Sequence, residues 1–174
     1  MGTGFDWYLK ADDDTFVIVE NLRKYLATLD PSIPYYIGCR MKPHLAEGYN
    51  GGGAGYVLSR AALRQLADVA YFNSSLCPDD YNEDVGIGRC LASLGIIPSR
   101  TLNERGQPRF NPYHWLKAFN GYQKEKKWIR DLPEVKGYDV VARDLVSFHH
   151  LSPDEIRLFE ILLYRVDVHR MFGR

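Results

Sequence analysis

Short apolar runs and amphipathic stripes alternate along the chain, and acidic residues stand where one gives way to the next. The aromatic run Phe5–Ala11 predicts a strand that ends abruptly at three aspartates, Asp12–Asp14. Apolar residues then recur with helical spacing over Ile18–Leu29, until Asp30-Pro31 stops the stripe. A strand, an acidic turn and a helix in this order indicate an α/β fold.

Three further amphipathic stripes predict helices. Ser59 is a suitable N-cap for a helix that reaches Ala70, and Glu83-Asp84 opens a second helix that Gly95 closes. Ser152–Glu155 matches a capping box with proline at the first helical position, and the apolar face of the helix that follows carries Ile156, Phe159, Leu163 and Val166. Short apolar runs predict further strands at Tyr35–Gly38 and Leu145–Phe148.

The stretch from Thr101 to Gly137 is irregular and alternates between polar and aromatic residues, which is typical of a long functional loop. Four aromatic residues in it suit either stacking on sugar rings or internal packing: Trp115, Phe119, Tyr122 and Trp128. There is no internal repeat and no composition shift that would mark a domain boundary. We therefore predict one α/β domain over residues 1–174.

The composition is that of an ordinary globular protein, with 45% hydrophobic and 25% charged residues among 174. Lys plus Arg and Asp plus Glu are both 22, so the formal net charge is zero. A neutral chain has no overall attraction for nucleic acid, so we expect no such partner and only a local phosphate site. No apolar run approaches the roughly 20 residues of a membrane span.

The three aspartates at the strand end concentrate negative charge, and their hard oxygens suit Mg²⁺ or Mn²⁺. The alternative is that they cap the following helix, taken as Thr15–Leu29, whose dipole favours acidic residues in its first turn. His149 follows the last predicted strand and could supply an imidazole to the same metal. Its alternative is a structural histidine with an ordinary hydrogen bond.

Two other segments carry candidate chemistry. The glycine-rich run Gly51–Gly55 either lets the backbone approach a ligand closely or forms a flexible turn. It is not a phosphate-binding P-loop, because no Lys-Ser or Lys-Thr follows it. The pair Glu83-Asp84 either contains a general base or matches the positive end of its helix.

Four motifs, taken together and in this order, resemble the inverting β1,3-glycosyltransferase family that includes fringe. They are Trp7–Val17, Gly52–Ser59, Glu83–Cys90 and Val146–His149. Within that family the chain is most similar to the core 1 galactosyltransferase branch. The resemblance implies a GT-A-like mixed sheet flanked by helices. It also implies that the chain corresponds to the C-terminal half of the family's catalytic domain and lacks the N-terminal nucleotide-binding strands. It also implies an unpaired sheet edge where those strands would lie.

The resemblance assigns the acidic strand end to the family's DxD motif. It implies that Asp14 is the direct metal ligand, that Asp12 joins it, and that Asp12 or Asp13 touches the donor. His149 falls on the family's metal-binding histidine. The implied cofactor is Mn²⁺, and the implied donor is UDP-galactose.

The same resemblance makes Asp84, with Glu83 beside it, the catalytic pair, Asp84 taking the proton from the acceptor 3-hydroxyl. The donor-sugar pocket would be shaped by Gly52, Gly53, Ala54 and Gly55. The implied acceptor is a glycoprotein with GalNAc on serine or threonine. The alternatives are fringe-like GlcNAc transfer and a non-catalytic chaperone or binding module, against which the intact Asp12–Asp14 argues.

The family setting implies the Golgi lumen, with membrane association through an anchor outside this chain, and a homodimer or a dedicated chaperone as possible partner. It also implies that Cys77 and Cys90 can be bridged, and it gives the glycosylation sequon at Asn73 a compartment in which it can be used. Cys39 stands where nearer relatives are expected to have arginine, and no role follows for it.

Overall fold

The computed structural model describes residues 4–122, 125–132 and 136–167, and it has a mixed α/β architecture. The strands are β1 (Trp7–Lys10), β2 (Phe16–Val17), β3 (Tyr36–Gly38), β4 (Arg40–Met41), β5 (Tyr49–Asn50), β6 (Tyr56–Ser59), β7 (Pro98–Ser99), β8 (Phe110–Asn111) and β9 (Ser147–Phe148). The helices are α1 (Val19–Leu26), α2 (Arg60–Gln65), α3 (Glu83–Ser93), α4 (Trp115–Phe119) and α5 (Pro153–Tyr164). Mixed sheets flanked by helices are consistent with the GT-A-like fold expected from the sequence.

A four-stranded sheet in the order β1-β6-β3-β7 forms the centre of the molecule. Strand β6 runs antiparallel to both neighbours, whereas β3 and β7 run parallel. Ile37 and Val57 face each other across β3 and β6 and are fully buried, because apolar side chains on this sheet pack against the helices. The β1–β6 register places Lys10 opposite Tyr56, so the end of β1 lies beside the start of β6.

A second sheet in the order β2-β9-β8 connects the acidic strand end to the histidine strand. Phe16 pairs with Phe148 and Val17 pairs with Ser147, in antiparallel register. The backbone N–H of Leu151 also donates to the carbonyl of Asp14 at 3.0 Å. The residues that follow β9 are thereby held next to the residues that precede β2.

The same pairing corrects the predicted start of the first helix. Phe16 and Val17 form a strand, and α1 begins only at Val19, with Ile18 as N-cap. Its last turns also stop at Leu26, short of the predicted Leu29. The helical spacing was misleading here because tertiary pairing with β9 outweighed local periodicity. The alternative that Asp12–Asp14 cap this helix is therefore wrong.

Other helix boundaries agree with the sequence. The Ser59 hydroxyl accepts from the backbone N–H of Ala62 at 3.2 Å, and α2 continues as a π-helical turn over Leu66–Ala70. Helix α3 starts at Glu83 as predicted. Ser152 and Glu155 form the predicted reciprocal capping box of α5. A disulfide joins Cys77 to Cys90 and ties the loop before α3 to that helix.

The predicted apolar face of α5 is only half buried. Phe159 packs beside Phe16 and Phe148, with ring centroids 5.6 and 6.2 Å away. Leu163 and Val166 are each 47% exposed, and Val166 lies beyond the helix, which ends at Tyr164. The capping box therefore predicted the start of the helix correctly, whereas its far end is shorter than predicted and only lines a cleft, in which Leu163 lies with Val141 and Leu145.

The irregular region from Thr101 to Gly137 contains the short elements β8 and α4. Tyr122 is buried there and its hydroxyl donates to Asn111 at 2.6 Å, which fits packing rather than sugar stacking. Trp115 and Trp128 remain partly exposed. Cys39 is a buried free thiol, and burial raises its pKa to about 12. None of the helices in the described ranges is long and apolar enough to cross a membrane.

Candidate functional site

The site forms where strand ends, a glycine turn and a helix start come together. The end of β1 carries the three aspartates, and the end of β9 carries His149 and His150. A 3-10 turn over Gly52–Ala54 precedes β6, which lies next to β1. The turn donates a hydrogen bond to the Asp84 carboxylate and packs against the ring of His149.

One group of ligand atoms surrounds Asp14. Its Oδ1 lies 3.0 Å from Nε2 of His149, and its Oδ2 lies 3.7 Å from Nδ1 of His150. Asp12 contributes Oδ2 at 3.8 Å from the same His149 nitrogen. The two histidine rings stack with centroids 3.8 Å apart. Asp14, His149 and His150 together form a cluster with the spacing of a metal site.

The orientation of His149 is fixed from two sides. Its Nδ1 lies 3.2 Å from the carbonyl oxygen of Pro112, so an Nδ1–H donates there and Nε2 keeps its lone pair. The ring also lies against Gly53, where an added Cβ would be 1.9 Å from Cε1 of the imidazole. Thr15 holds the same turn by donating its hydroxyl to the Gly53 carbonyl at 2.7 Å.

The donor atoms fit a divalent cation. In octahedral coordination at about 2.1 Å, neighbouring ligand atoms are separated by about 3.0 Å. The Asp14 and His149 atoms are 3.0 Å apart, and Asp12 is at 3.8 Å, within the range that such a site spans. Imidazole nitrogens beside a carboxylate favour a transition metal over Mg²⁺, which prefers oxygen ligands alone.

The second group of carboxylates lies at the start of α3. Asp84 Oδ2 accepts the backbone N–H of Gly52 at 3.0 Å, and Oδ1 accepts that of Val85 at 2.8 Å. These two bonds fix the plane of the carboxylate against the glycine turn. Since each carboxylate oxygen has about two lone-pair sites, each oxygen can still accept one further hydrogen bond.

Glu83 is held differently, by one hydroxyl and one cation. The Tyr56 hydroxyl donates to Oε1, and Nζ of Lys10 lies 3.2 Å from Oε2. Burial, reinforced by the hydrogen bond to Glu83, raises the pKa of Tyr56 far above its usual value, so the hydroxyl stays protonated and remains a donor.

Lys10 connects the two carboxylate groups. Its Nζ lies 2.5 Å from Asp12 Oδ1 as well as 3.2 Å from Glu83. Burial alone would lower the pKa of Lys10, but the bond to Asp12 and the charge of Glu83 outweigh it and raise the pKa. A Cβ on Gly52 would lie 2.9 Å from this ammonium, so glycine there leaves room for the cation.

The remaining predicted residues lie around this centre. Asp13 is exposed and, with Asp14, lines a cleft of about 330 Å³ beside the first turn of α5. The Ala54 carbonyl accepts the buried Ser147 hydroxyl, which fastens the glycine turn to β9. Gly55 has φ +75, a left-handed conformation that favours glycine.

Three residues of the site were not predicted: Lys10, Tyr56 and His150. Lys10 and Tyr56 meet Glu83 only because of the β1–β6 register, which no local pattern reveals. His150 was visible beside His149 in the sequence, and its φ of 61 turns its ring back over that neighbour. Two adjacent histidines at the end of a predicted strand were the sequence signal for His150.

The first 103 residues match the family model described as Fringe-like. The match includes the aspartates, the glycine turn and the Glu83-Asp84 pair. The chain belongs to the Fringe-like family. This confirms the resemblance drawn from the four sequence motifs.

Curated relatives in this family are named as glycosyltransferases. The chain is 35% identical to glycoprotein-N-acetylgalactosamine 3-beta-galactosyltransferase 1 of Xenopus laevis over 170 residues, 94% of this chain and 47% of that protein. It is 35% identical to a beta-1,3-glucosyltransferase of Mus musculus over 130 residues, 72% of this chain and 26% of the relative. A third relative is chondroitin sulfate synthase 3 of Homo sapiens, 29% identical over 103 residues, 52% of this chain and 11% of that protein.

The chain thus spans about half the length of the Xenopus laevis relative and a smaller share of the others. The relatives differ in the sugar and the product that their names give. What they have in common is glycosyl transfer.

Proposed function

We propose that this chain carries the metal and base centre of a UDP-sugar-dependent, inverting β1,3-glycosyltransferase. The proposed reaction is transfer of galactose from UDP-galactose to the 3-hydroxyl of GalNAc on serine or threonine. One observation carries the proposal: the consecutive residues Gly52 and Gly53 place the turn against the Asp84 carboxylate on one side and against His149 of the metal cluster on the other. Gly52 touches Asp84 and Lys10, whereas Gly53 touches His149.

In this proposal Asp14, His149 and Asp12 hold Mn²⁺, with His150 as an additional ligand or a support for the ring of His149. The metal, when bound, neutralises the diphosphate of the donor and stabilises the charge that builds on UDP as the glycosidic bond breaks. Asp13, exposed at the mouth of the adjoining cleft, is free to contact the donor.

Asp84 acts as the general base. Its carboxylate is fixed by the N–H groups of Gly52 and Val85, and its remaining lone pairs accept the proton of the acceptor 3-hydroxyl. The deprotonating oxygen attacks the anomeric carbon on the face opposite the leaving group, so the configuration inverts in a single displacement. Glu83, held by Lys10 and Tyr56, keeps the start of α3 in position.

The turn Gly52–Gly55 forms the wall against which the donor sugar lies. Side chains at Gly52 or Gly53 would collide with Lys10 or His149, so the wall is bare backbone at these two positions. The similarity to the Xenopus laevis galactosyltransferase supports galactose as the sugar and a GalNAc-bearing glycoprotein as acceptor. A Golgi lumen location, membrane association of the whole protein, and a homodimer or a dedicated chaperone as partner belong to the same proposal.

The test is transfer to a GalNAc-threonine glycopeptide by the folded chain, with Mn²⁺ or with EDTA. UDP-galactose, UDP-glucose and UDP-GlcNAc are supplied separately, and the product linkage is determined by NMR. We expect a β1,3-linked galactose product that requires the metal. Preference for UDP-GlcNAc would support the fringe-like alternative.

A folded chain that makes no product with any donor, and whose fold is insensitive to Mn²⁺, would contradict the enzymatic proposal. That result would support a chaperone or binding module.

A further inference from the structure

The sequon Asn73-Ser74-Ser75 is the one Asn-X-Ser/Thr triplet in the 174-residue sequence, and the site described above leaves it unused. It lies in the loop between the π-helical turn and α3. All three residues are exposed. The geometry of this loop, its exposed aromatic residues and the nearby disulfide together point to a modification.

We propose that Asn73 carries an N-linked glycan whose innermost sugar lies against the exposed rings of Tyr71 and Phe72. The proposal rests on the secretory setting that the proposed function implies. Its readout is the mass of a peptide, so it can succeed or fail whether or not the chain transfers galactose.

The asparagine amide is free to react. Asn73 Oδ1 accepts the backbone N–H of Ser75 at 3.0 Å, which turns the side chain towards the third residue of the sequon. Within the described ranges its Nδ2 has no hydrogen-bond partner. The backbone N–H groups of Leu76 and Cys77 both donate to the Asn73 carbonyl, so the turn is ordered while the asparagine itself is exposed.

The residues before the sequon form an unusual exposed apolar patch. Phe72 is 90% exposed, and Val69 and Tyr71 are more than half exposed. The centroids of the Tyr71 and Phe72 rings lie 5.1 Å apart in an edge-to-face pair, so the two rings form one patch although both are exposed. Apolar patches of this kind need a covering partner, and the apolar face of a sugar ring packs well on an aromatic ring.

The disulfide supplies an independent argument for the compartment. Cys77 lies two residues beyond the sequon and is bonded to Cys90. Structural disulfides form in the lumen of the secretory pathway, where the machinery for N-glycosylation also operates. An exposed sequon beside a disulfide is therefore in the environment in which it can be used.

The chemical step is a substitution at the first sugar. The Nδ2 of Asn73 forms a bond to the anomeric carbon of N-acetylglucosamine in a lipid-diphosphate-linked oligosaccharide. The bond from that carbon to the diphosphate oxygen breaks, the lipid diphosphate leaves with the electron pair, and the amide proton goes to a base of the host oligosaccharyltransferase. Ser75 supplies the hydroxyl that the sequon requires.

The test uses the full chain, directed into the secretory pathway of cultured eukaryotic cells and recovered from the medium. The fraction with Cys77 and Cys90 oxidised is selected by thiol alkylation and analysed by peptide mass spectrometry before and after peptide-N-glycosidase. We expect a glycan on the Asn73 peptide and conversion of Asn73 to aspartate by the enzyme. An unmodified Asn73 in oxidised, secreted chain would overturn the proposal.

Substitutions sharpen the result. Asn73→Gln and Ser75→Ala should each abolish the glycan, whereas Ser75→Thr should keep or raise its occupancy. Asn120→Gln is the matched control, because Asn120 is exposed but lies outside any sequon. A glycan that persists in Ser75→Ala would overturn the assignment to this sequon.

The packing of the sugar is tested with Phe72→Ser. Removal of the glycan should lower the melting temperature of the wild-type chain more than that of the Phe72→Ser chain, since the variant has lost the ring against which the sugar lies. Equal shifts in the two chains would overturn the stacking part of the proposal.

Discussion

The two carboxylate groups of the site lie on either side of the same glycine turn but differ in what balances their charge. Asp14 faces two histidine nitrogens and contacts no lysine or arginine among the described residues, so its neighbours leave a position for a metal. Asp84 is held by two backbone N–H groups, and Glu83 by a hydroxyl and an ammonium. Similar acidic motifs therefore acquire different chemistry from the groups that surround them.

The largest effect should come from Asp84→Asn. The amide oxygen can keep one of the two backbone N–H bonds, but the amide nitrogen cannot accept the other, and the proton acceptor is lost. We expect the transfer rate to fall by about a hundredfold to ten-thousandfold, the usual contribution of a general base. Steady-state kinetics with UDP-galactose measures this, and near wild-type turnover would remove Asp84 from its proposed role.

The two histidines provide the next test, since they differ in burial and in orientation. The side chain of His149 packs against Gly53 and is 14% exposed, whereas that of His150 is 55% exposed. His149→Gln should weaken Mn²⁺ binding by about a hundredfold, and His150→Gln by about tenfold or less. Isothermal titration with Mn²⁺ measures both. A larger loss for the His150 variant would reverse their assignment.

Gly53→Ala tests whether glycine is required where the turn packs against His149 of the metal cluster. Its Cβ would overlap the His149 imidazole, so the ring must move. We expect a loss of about 1–3 kcal/mol in the free energy of unfolding, typical of overpacking, together with weaker Mn²⁺ binding. Denaturant unfolding gives the stability. Gly4→Ala is the control, because nothing lies within 4 Å of a Cβ there, and equal stability of both variants would contradict the packing argument.

Lys10→Met removes the cation that Asp12 and Glu83 share. The side chain is 35% exposed, so the ion pairs are partly screened and we expect at most about a fivefold loss of rate. Lys10→Arg, which keeps the charge, should recover part of that loss. The transfer rates of the two variants, measured side by side, test this expectation. Equal losses would show that shape at this position matters rather than charge.

The smallest effect concerns α5, which supports the metal side through Phe159. Hydrogen bonds from Ser152 and His114 lower the pKa of Glu155 to about 2. A lowered carboxyl pKa stabilises the fold above the ordinary value of about 4, and this contribution is lost as the pH falls towards 2. Glu155→Gln should therefore lower the melting temperature at pH 7, with the difference from wild type vanishing in acid.

Thermal melts across this pH range give the result, with Glu160→Gln in the same helix as control. A difference that stays constant down to pH 2 would contradict the role of the Glu155 charge.

The sequence predicts those parts of the molecule whose signals are local. The capping box at Ser152, the helix start at Glu83 and the strand before Asp12 were all found from neighbouring residues. The start of α1 was wrong, because β2 exists only through its pairing with β9. Short strands of this kind are specified by distant partners and not by periodicity.

The residues of the site also divide into those with a local sequence signal and those without one. Asp12, Asp14, Glu83, Asp84 and His149 stood out as motif residues, and the fold brings them to one glycine turn. Lys10 and Tyr56 did not, because a lysine inside a strand and a tyrosine after a turn are ordinary in isolation. Their meeting at Glu83 depends on the β1–β6 register, which is a property of the whole sheet.

The most direct test of the account is one titration, in which Mn²⁺ binding is measured for the wild-type, Asp14→Asn and Asp84→Asn proteins side by side. The account predicts that Asp84→Asn binds the metal as tightly as wild type, whereas Asp14→Asn loses binding by about a hundredfold or more. Equal weakening in both variants, or unchanged binding in Asp14→Asn, would contradict the assignment of Asp14 to the metal and of Asp84 to proton transfer.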